Sequence, residues 1–326
     1  MFERIMVPLD GSARAEQAVP IAARIARASD GTVILAQVAT SHTDSQAGRE
    51  TAETYSDDVV EEFRALATNY LGTVSKVAEL VGVKTETRVA FGDVAPSILA
   101  AVEALGVDLI VMSSHGYTGL KRWVLGSVAH KIIPHSAVPV LVLRDGGTTL
   151  ASGPVYALVT LDGSPLAESV LAPVVQLVAA LAPSARKTLH LVRVVDLPVA
   201  YGKFAANAQL DQMREDAKRE AHTYLETVAE RLTGGHGAVP DLTVTTSIAV
   251  NLDVAEALVQ MTGQELHAGG HFDLVAMATH GRGGLQRWMI GSVTERVLQA
   301  TRLPMLVVHP TGNSEHTRER NKPGAS

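Results

Sequence analysis

The sequence predicts an α/β chain written twice: two tandem domains, each a parallel sheet flanked by helices. Three observations carry that expectation. Short β-rich runs alternate with helical periodicity along the whole chain. Ordered echoes join the two halves, with Asp10-Gly11-Ser12 returning as Asp162-Gly163-Ser164 and Asp93-Val94-Ala95 as Asp253-Val254-Ala255. From His115 to Pro139, 10 of 25 residues match the stretch 165 positions later without a gap. The offset between echoes grows from 152 to 165, so the second copy carries 13 extra residues, expected in loops. Residues 1–144 and 154–310 are expected to form the two domains, joined by the polar linker 145–153 "DGGTTLASG". The charged tail 311–326 is expected to be disordered.

Each element has its own reason. Residues 4–9 form a short apolar run closed by the turn signal Asp10-Gly11-Ser12, which also suits the start of the helix "ARAEQAVPIAARIA". Residues 32–39 read as a second strand. A helical pattern follows, clearest in the second half of 56–82, where Val59, Phe63, Leu66, Tyr70, Val74, Val77 and Val81 recur at spacings of three and four. Strands at 84–90, 108–113 and 138–144 complete the copy. The second copy repeats the order, with strands at 155–161, 188–195, 242–249, 273–278 and 304–309. Its matching helix carries Leu210, Met213, Ala217, Ala221, Tyr224, Val228 and Leu232. Strands alternating with helices imply right-handed crossovers and a sheet covered on both faces.

Composition bounds the function. A length of 326 residues with 46% hydrophobic and 19% charged residues fills two ordinary cores. A net charge of −6 argues against a general nucleic-acid binder. With no cysteine there is no disulfide, thiol nucleophile or thiolate metal site. The opening "MFERIMVPLDGS" lacks the pattern of a secretory signal, and no apolar run reaches the roughly 18 residues of a membrane span. A soluble, cytoplasmic protein is expected.

Parallel α/β sheets bind ligands beyond the carboxyl ends of their strands. Asp10 and Asp162 follow the first strands there, and Ser113–Gly116 and Ala278–Gly281 follow the fourth. The loops "SSHGYTGLKRWVLGSV" and "ATHGRGGLQRWMIGSV" then run into Gly126-Ser127 and Gly291-Ser292 ahead of a helical pattern. Glycines let main-chain N–H groups turn toward an anion, and a helix start offers free donors and a positive dipole end. Turns and caps explain any one of these glycines alone. The long pattern, in the expected place and present twice, favours a phosphate cradle. Asp10 and Asp162 suit either a helix cap or a carboxylate for ribose or adenine.

These residues resemble the universal stress protein family in its tandem two-domain form. The family's ATP pattern is glycine, two residues, glycine, nine residues, glycine, then serine or threonine. The chain reads Ser113-x2-Gly116-x9-Gly126-Ser127 and Ala278-x2-Gly281-x9-Gly291-Ser292. The resemblance implies two flavodoxin-like/Rossmann-like domains, each a five-stranded parallel sheet in order 3-2-1-4-5. It implies ATP as ligand, with or without Mg²⁺. Adenine and ribose contacts fall on Asp10, Val38, Asp162 and Val194, the valines through their backbone. Phosphate contacts fall on Gly116, Gly126, Ser127 and Val128, and on Gly281, Gly291, Ser292 and Val293. Two departures stand out. Ser113 and Ala278 place a Cβ at the first glycine position. Gly92, expected to relieve crowding at the pocket edge, is matched by Leu252 in copy two, which makes the first site the better expectation.

Two function classes fit: a regulatory ATP binder, and an ATP-hydrolysing enzyme using His115 and Arg122 or His280 and Arg287. A non-nucleotide scaffold is a third. No base of obvious identity recurs, so binding with at most slow hydrolysis is expected. His267 and His271 flank two glycines, a poor helical metal grip. The fifth strands, "VPVLVL" and "LPMLVV", are apolar edges expected to pair with each other, in the manner in which family members dimerise. A homodimer of tandem chains is expected beyond that. The sequence names no protein partner.

Overall fold

The computed structural model describes residues 1–39, 57–114, 125–144, 150, 152–196, 208–234, 239–263, 271–280 and 290–310. The first copy comprises β1 (Arg4–Leu9), α1 (Ala13–Glu16), α2 (Ala18–Ser29), β2 (Thr32–Ala39), α3 (Asp57–Val74), a 3-10 turn (Ala78–Leu80), β3 (Lys84–Phe91), α4 (Val94–Ala104), β4 (Leu109–Ser113), α5 (Ser127–Ile132) and β5 (Val140–Leu143). The second comprises β6 (Val155–Thr160), α6 (Pro165–Glu168), α7 (Leu171–Leu181), β7 (Lys187–Val195), α8 (Ala208–Gly234), β8 (Leu242–Val250), α9 (Val254–Thr262), β9 (Leu274–Ala278), α10 (Ser292–Ala300) and β10 (Met305–Val308). The tail beyond 310 and most of the linker lie outside the described residues.

The strands join in a ten-stranded sheet of order β3-β2-β1-β4-β5-β10-β9-β6-β7-β8. Each half is the expected 3-2-1-4-5 arrangement. Pairing is parallel within each half and antiparallel at the one seam, where Leu141 faces Leu306 and Val140 faces Val307. Both fifth strands are buried throughout, which explains their unbroken apolar sequences. The apolar edges that each copy would otherwise expose are satisfied by one another.

Side chains alternate across the strands into two cores. Ile5, Leu35, Leu71, Val174 and Leu225 belong to one, under α2, α3, α7 and α8. Met6, Ile34, Ile98, Val192, Leu258 and Leu298 belong to the other, under α4, α5, α9 and α10. Both cores draw residues from both copies. Polar contacts join the copies as well: Arg24 Nη2 donates to the Leu181 carbonyl, and Arg144 Nη2 to the Gln299 carbonyl at 3.3 Å.

Two repeated devices shape the frame. Pro20 and Pro173 lack an amide to donate, and in each copy the chain breaks between α1 and α2, or α6 and α7, just ahead of them. Asp108 accepts from the Glu3 and Arg4 amides at 2.6 and 3.2 Å, and Asp273 from the Tyr156 amide at 2.8 Å, so each pins the start of its first strand. The apolar stripe on α3 needs correction. Ala67, Leu71 and Val74 are buried, whereas Phe63 and Leu66 stand 47% and 60% exposed. The helix stops at Val74 rather than continuing to 82, and Val81 is exposed. Met213 on α8 is likewise exposed, while Ala221, Leu225 and Val228 are buried. On each helix these exposed apolar residues lie amino-terminal to the buried ones.

Candidate functional site

The site lies where the strands end. After β1, Gly11 adopts φ +84° and the Asp10 carboxylate accepts from the Ser12 amide and hydroxyl at 3.0 and 2.6 Å. Ser12 Oγ in turn accepts from the Ala15 amide at 3.2 Å, which makes Ser12 the helix cap. Copy two repeats the turn: Gly163 has φ +87°, Asp162 accepts from the Ser164 amide at 2.9 Å, and Ser164 caps α6. The aspartates therefore brace the turn two residues before the cap and are not caps themselves.

The ends of β4 and β9 correct the reading of the helix-start glycines. The Gly126 amide donates to the Ser114 carbonyl at 2.7 Å, and the Gly291 amide to the Thr279 carbonyl at 2.9 Å. A Cβ on Gly291 would sit 2.6 Å from that same oxygen. This glycine is required by close packing of the chain on itself, and its amide is already used. The donors left at the helix starts are the amides of Ser127 and Val128, and of Ser292 and Val293, ahead of the first intrahelical bonds of His130 and Glu295. Ser127 and Ser292 are both exposed. Gly92 also has a different reason from the one expected. It adopts φ +117°, a left-handed conformation that favours glycine, while a Cβ there would meet only Ser97 Oγ at 3.6 Å.

In copy two these loops enclose a cavity of about 680 Å³. Six residues expected at the site line it: Asp162, Val194, Ala278, Gly291, Ser292 and Val293. In copy one Asp10, Val38, Ser113, Gly126, Ser127 and Val128 occupy the matching strand and helix ends. Ser113 and Ala278 close β4 and β9, nearly buried. His115, Gly116, Arg122, Gly281, Arg287 and His267 lie outside the described residues.

Four further lining residues matter that the sequence reading did not single out for this site or left among alternatives: Arg193, Glu220, Thr279 and His280. The Arg193 side chain is 9% exposed, donates to Glu220 Oε1 at 3.2 Å and lies 5.5 Å from the Tyr224 ring centre. Thr279 Oγ1 is 3.1 Å from His280 Nδ1 and 3.0 Å from His309 Nδ1. Burial holds both imidazoles below the ordinary histidine range, and for His309 the neighbouring His280 and His135 add to it. Both are neutral at pH 7. Buried Thr294 donates to the Ala278 carbonyl at 2.9 Å and ties α10 to the strand end. A second repeated pair stands beside the aspartates: Tyr70 Oη donates to Glu16 Oε1 at 2.9 Å, and Tyr224 and Glu168 hold the same positions in copy two. Burial above all, then the carboxylate, raises the Tyr70 phenol well above its usual value.

Among the described residues no helix is long and apolar enough to cross a membrane, and no cluster of three or more metal-ligating side chains occurs.

Comparison with known proteins bears on this geometry. The sequence model of the universal stress protein family matches residues 1–144 and 157–309. A Mycolicibacterium smegmatis universal stress protein is 26% identical over 313 residues, covering 94% of this chain and 97% of its own. Bacillus subtilis universal stress protein YxiE is 33% identical over 148 residues, 44% of this chain and all of its own. Universal stress protein Rv2005c of Mycobacterium tuberculosis is 29% identical over 210 residues, and the match spans only 61% of either chain. Among solved structures, a universal stress protein from Archaeoglobus fulgidus superposes with a TM-score of 0.62 at 18% identity, covering 94% of this chain and 98% of its own. That last likeness shows a shared fold.

Proposed function

Because the chain belongs to the universal stress protein family, we propose that it is a regulatory binder of ATP, with hydrolysis at most slow. One observation carries the reading. The copy-two cavity gathers the ends of β6, β7 and β9 and the start of α10, and its volume of about 680 Å³ suits a small-molecule ligand. Its two ends differ in chemistry. At the α10 start, the Ser292 and Val293 amides and the helix dipole favour negative charge. At the β6–β7 end the described lining residues Asp162, Asp196, Glu220 and Arg193 offer polar groups suited to a ribose and a base. ATP then lies with its phosphates on α10 and its ribose and base toward Asp162 and Val194. Mg²⁺ would enter with the phosphates.

Main-chain donors at a helix start hold the bound phosphate in ground and transition states alike, which favours affinity over turnover. The test has two arms. Purified protein is denatured and its supernatant assayed for released nucleotide, and stripped protein is titrated with ATP by calorimetry. Binding with single-turnover hydrolysis far below about 1 per second is expected. Absence of both released nucleotide and binding heat overturns the proposal, and turnover at ordinary enzyme rates overturns its regulatory part.

A further inference from the structure

At the α10 end of the copy-two cavity, the described lining residues supply one titratable side chain, the imidazole of His280. The backbone fixes its place. The Gly291 amide donates to the Thr279 carbonyl at 2.9 Å, and a Cβ on Gly291 would lie 4.0 Å from the His280 Cα. His280 therefore sits beside the start of α10, where Ser292 and Val293 offer their amides. Its ring is held from behind. Fully buried Thr279 places Oγ1 3.1 Å from His280 Nδ1 and 3.0 Å from His309 Nδ1. A hydroxyl has one proton to give, so it donates to one ring and accepts from the N–H of the other. When His280 gains a proton, its Nδ1–H donates to Thr279 and Thr279 donates to His309, so all three groups stay matched. A second proton, on His309 Nδ1, would leave the hydroxyl facing two donors. The cluster accommodates one proton, and His280 is the member that meets the cavity.

We propose that His280 meets the phosphates of the copy-two nucleotide as the imidazolium, taking up one proton from solvent as the ligand binds. The inference rests on the nucleotide-binding reading above and adds a side chain to its main-chain donors. In the free chain burial keeps His280 below the ordinary histidine range and neutral at pH 7, so binding brings the proton in. A phosphate chain beside an imidazole favours its charged form, as any close opposite charge does. With Nδ1–H turned to Thr279, the Nε2–H is the charge-assisted donor left for a phosphate oxygen. The surrounding charges leave that role to His280. Asp162, Asp196, Glu220 and Arg193 stand at the β6–β7 end, with Arg193 paired to Glu220. On α10, Glu295 lies 3.8 Å from His130 Nε2, and Arg296 is held by Asp253 at 2.7 Å. His309 lies behind Thr279, where His280 and His135 both disfavour its charged form. Among the described lining residues, His280 is the one group at the α10 end that can become a cation.

Nucleotide-stripped full-length protein is titrated with ATP and excess Mg²⁺ by calorimetry between about pH 8 and pH 5.5. Paired buffers of different ionisation heat count the protons bound. The same is done for His280→Gln and His280→Arg. At pH 7 the parent is expected to take up about one proton more per chain than either variant, a difference from which the nucleotide's own titration cancels. Relative to His280→Gln, parent affinity is expected to rise at least about fivefold from pH 8 to pH 6. His280→Arg carries a fixed charge, so it is expected to bind well at pH 8 and to give the flatter profile. Either variant suffices if the other fails to fold. If the variants take up as many protons as the parent, or if the parent profile itself is flat, the His280 assignment is overturned and the nucleotide reading survives. If ATP binds the parent at no pH, both fall together.

Discussion

At Gly291 a methyl group would sit 2.6 Å from the Thr279 carbonyl oxygen. The backbone on both sides of that contact is fixed, one side in β9 and the other in α10. Gly291→Ala is expected to lower stability by about 1–3 kcal/mol, the usual cost of overpacking, measured by urea denaturation. A variant as stable as the parent would show that the loop yields freely. Titration belongs to the same scale. His190, His280 and His309 are all held below the ordinary histidine value, by burial first. The unfolded chain therefore takes up protons first, so their contribution to stability is complete above about pH 6.5 and declines as pH falls through and below it. Asp253 acts in the same direction lower on the scale: its paired Arg296, at 2.7 Å, depresses it, and that contribution goes as pH falls through its folded value. A thermal midpoint that drops between about pH 7.5 and pH 5.5 is expected by calorimetry, and a flat profile would contradict it. The two glycine-punctuated loops and the paired aspartates could be read directly from the sequence, because repetition marks them. Arg193 could not, since a charged residue in the alternating run "LHLVRV" reads as facing water, and only the packing of α8 over β7 buries it.

Elements follow the sequence most closely in the strands and least along the long helices. All ten strands lie within two residues of their expected limits, because apolar runs bounded by turn signals permit little else. Helix α3 shows the converse. Spacing alone made Phe63 and Leu66 core residues, yet a periodic stripe cannot tell how far the sheet beneath it extends. The β5–β10 seam was legible as two apolar edges without partners, and its antiparallel sense needed the structure. Val140 is 1% exposed and opposes Val307 there. Val140→Lys puts an unpaired ammonium into this seam and is expected to cost on the order of 3–5 kcal/mol. Equilibrium denaturation measures the loss, and an unchanged midpoint would argue that the seam contributes little.

The whole molecule is a single sheet with two cores that run through both copies, so the halves have no separate interiors. One calorimetric transition is expected, with no plateau between the unfolding of residues 1–144 and the rest. A fragment of residues 1–144 alone would bare β5 along its length. It is expected to self-associate in gel filtration, whereas two well-resolved transitions in the full chain would oppose this view. Both fifth strands are occupied within the chain, so any homodimer of tandem chains would need another surface.

The reversal of direction at the seam has one more consequence. Strand tips in the first half point away from those in the second, so the two sets of carboxyl ends lie on opposite rims of the sheet. Ligands bound at the two sets of strand ends would lie apart. A symmetric pair of separate subunits would have to change both rims at once with every mutation, whereas a fused chain can alter either one independently.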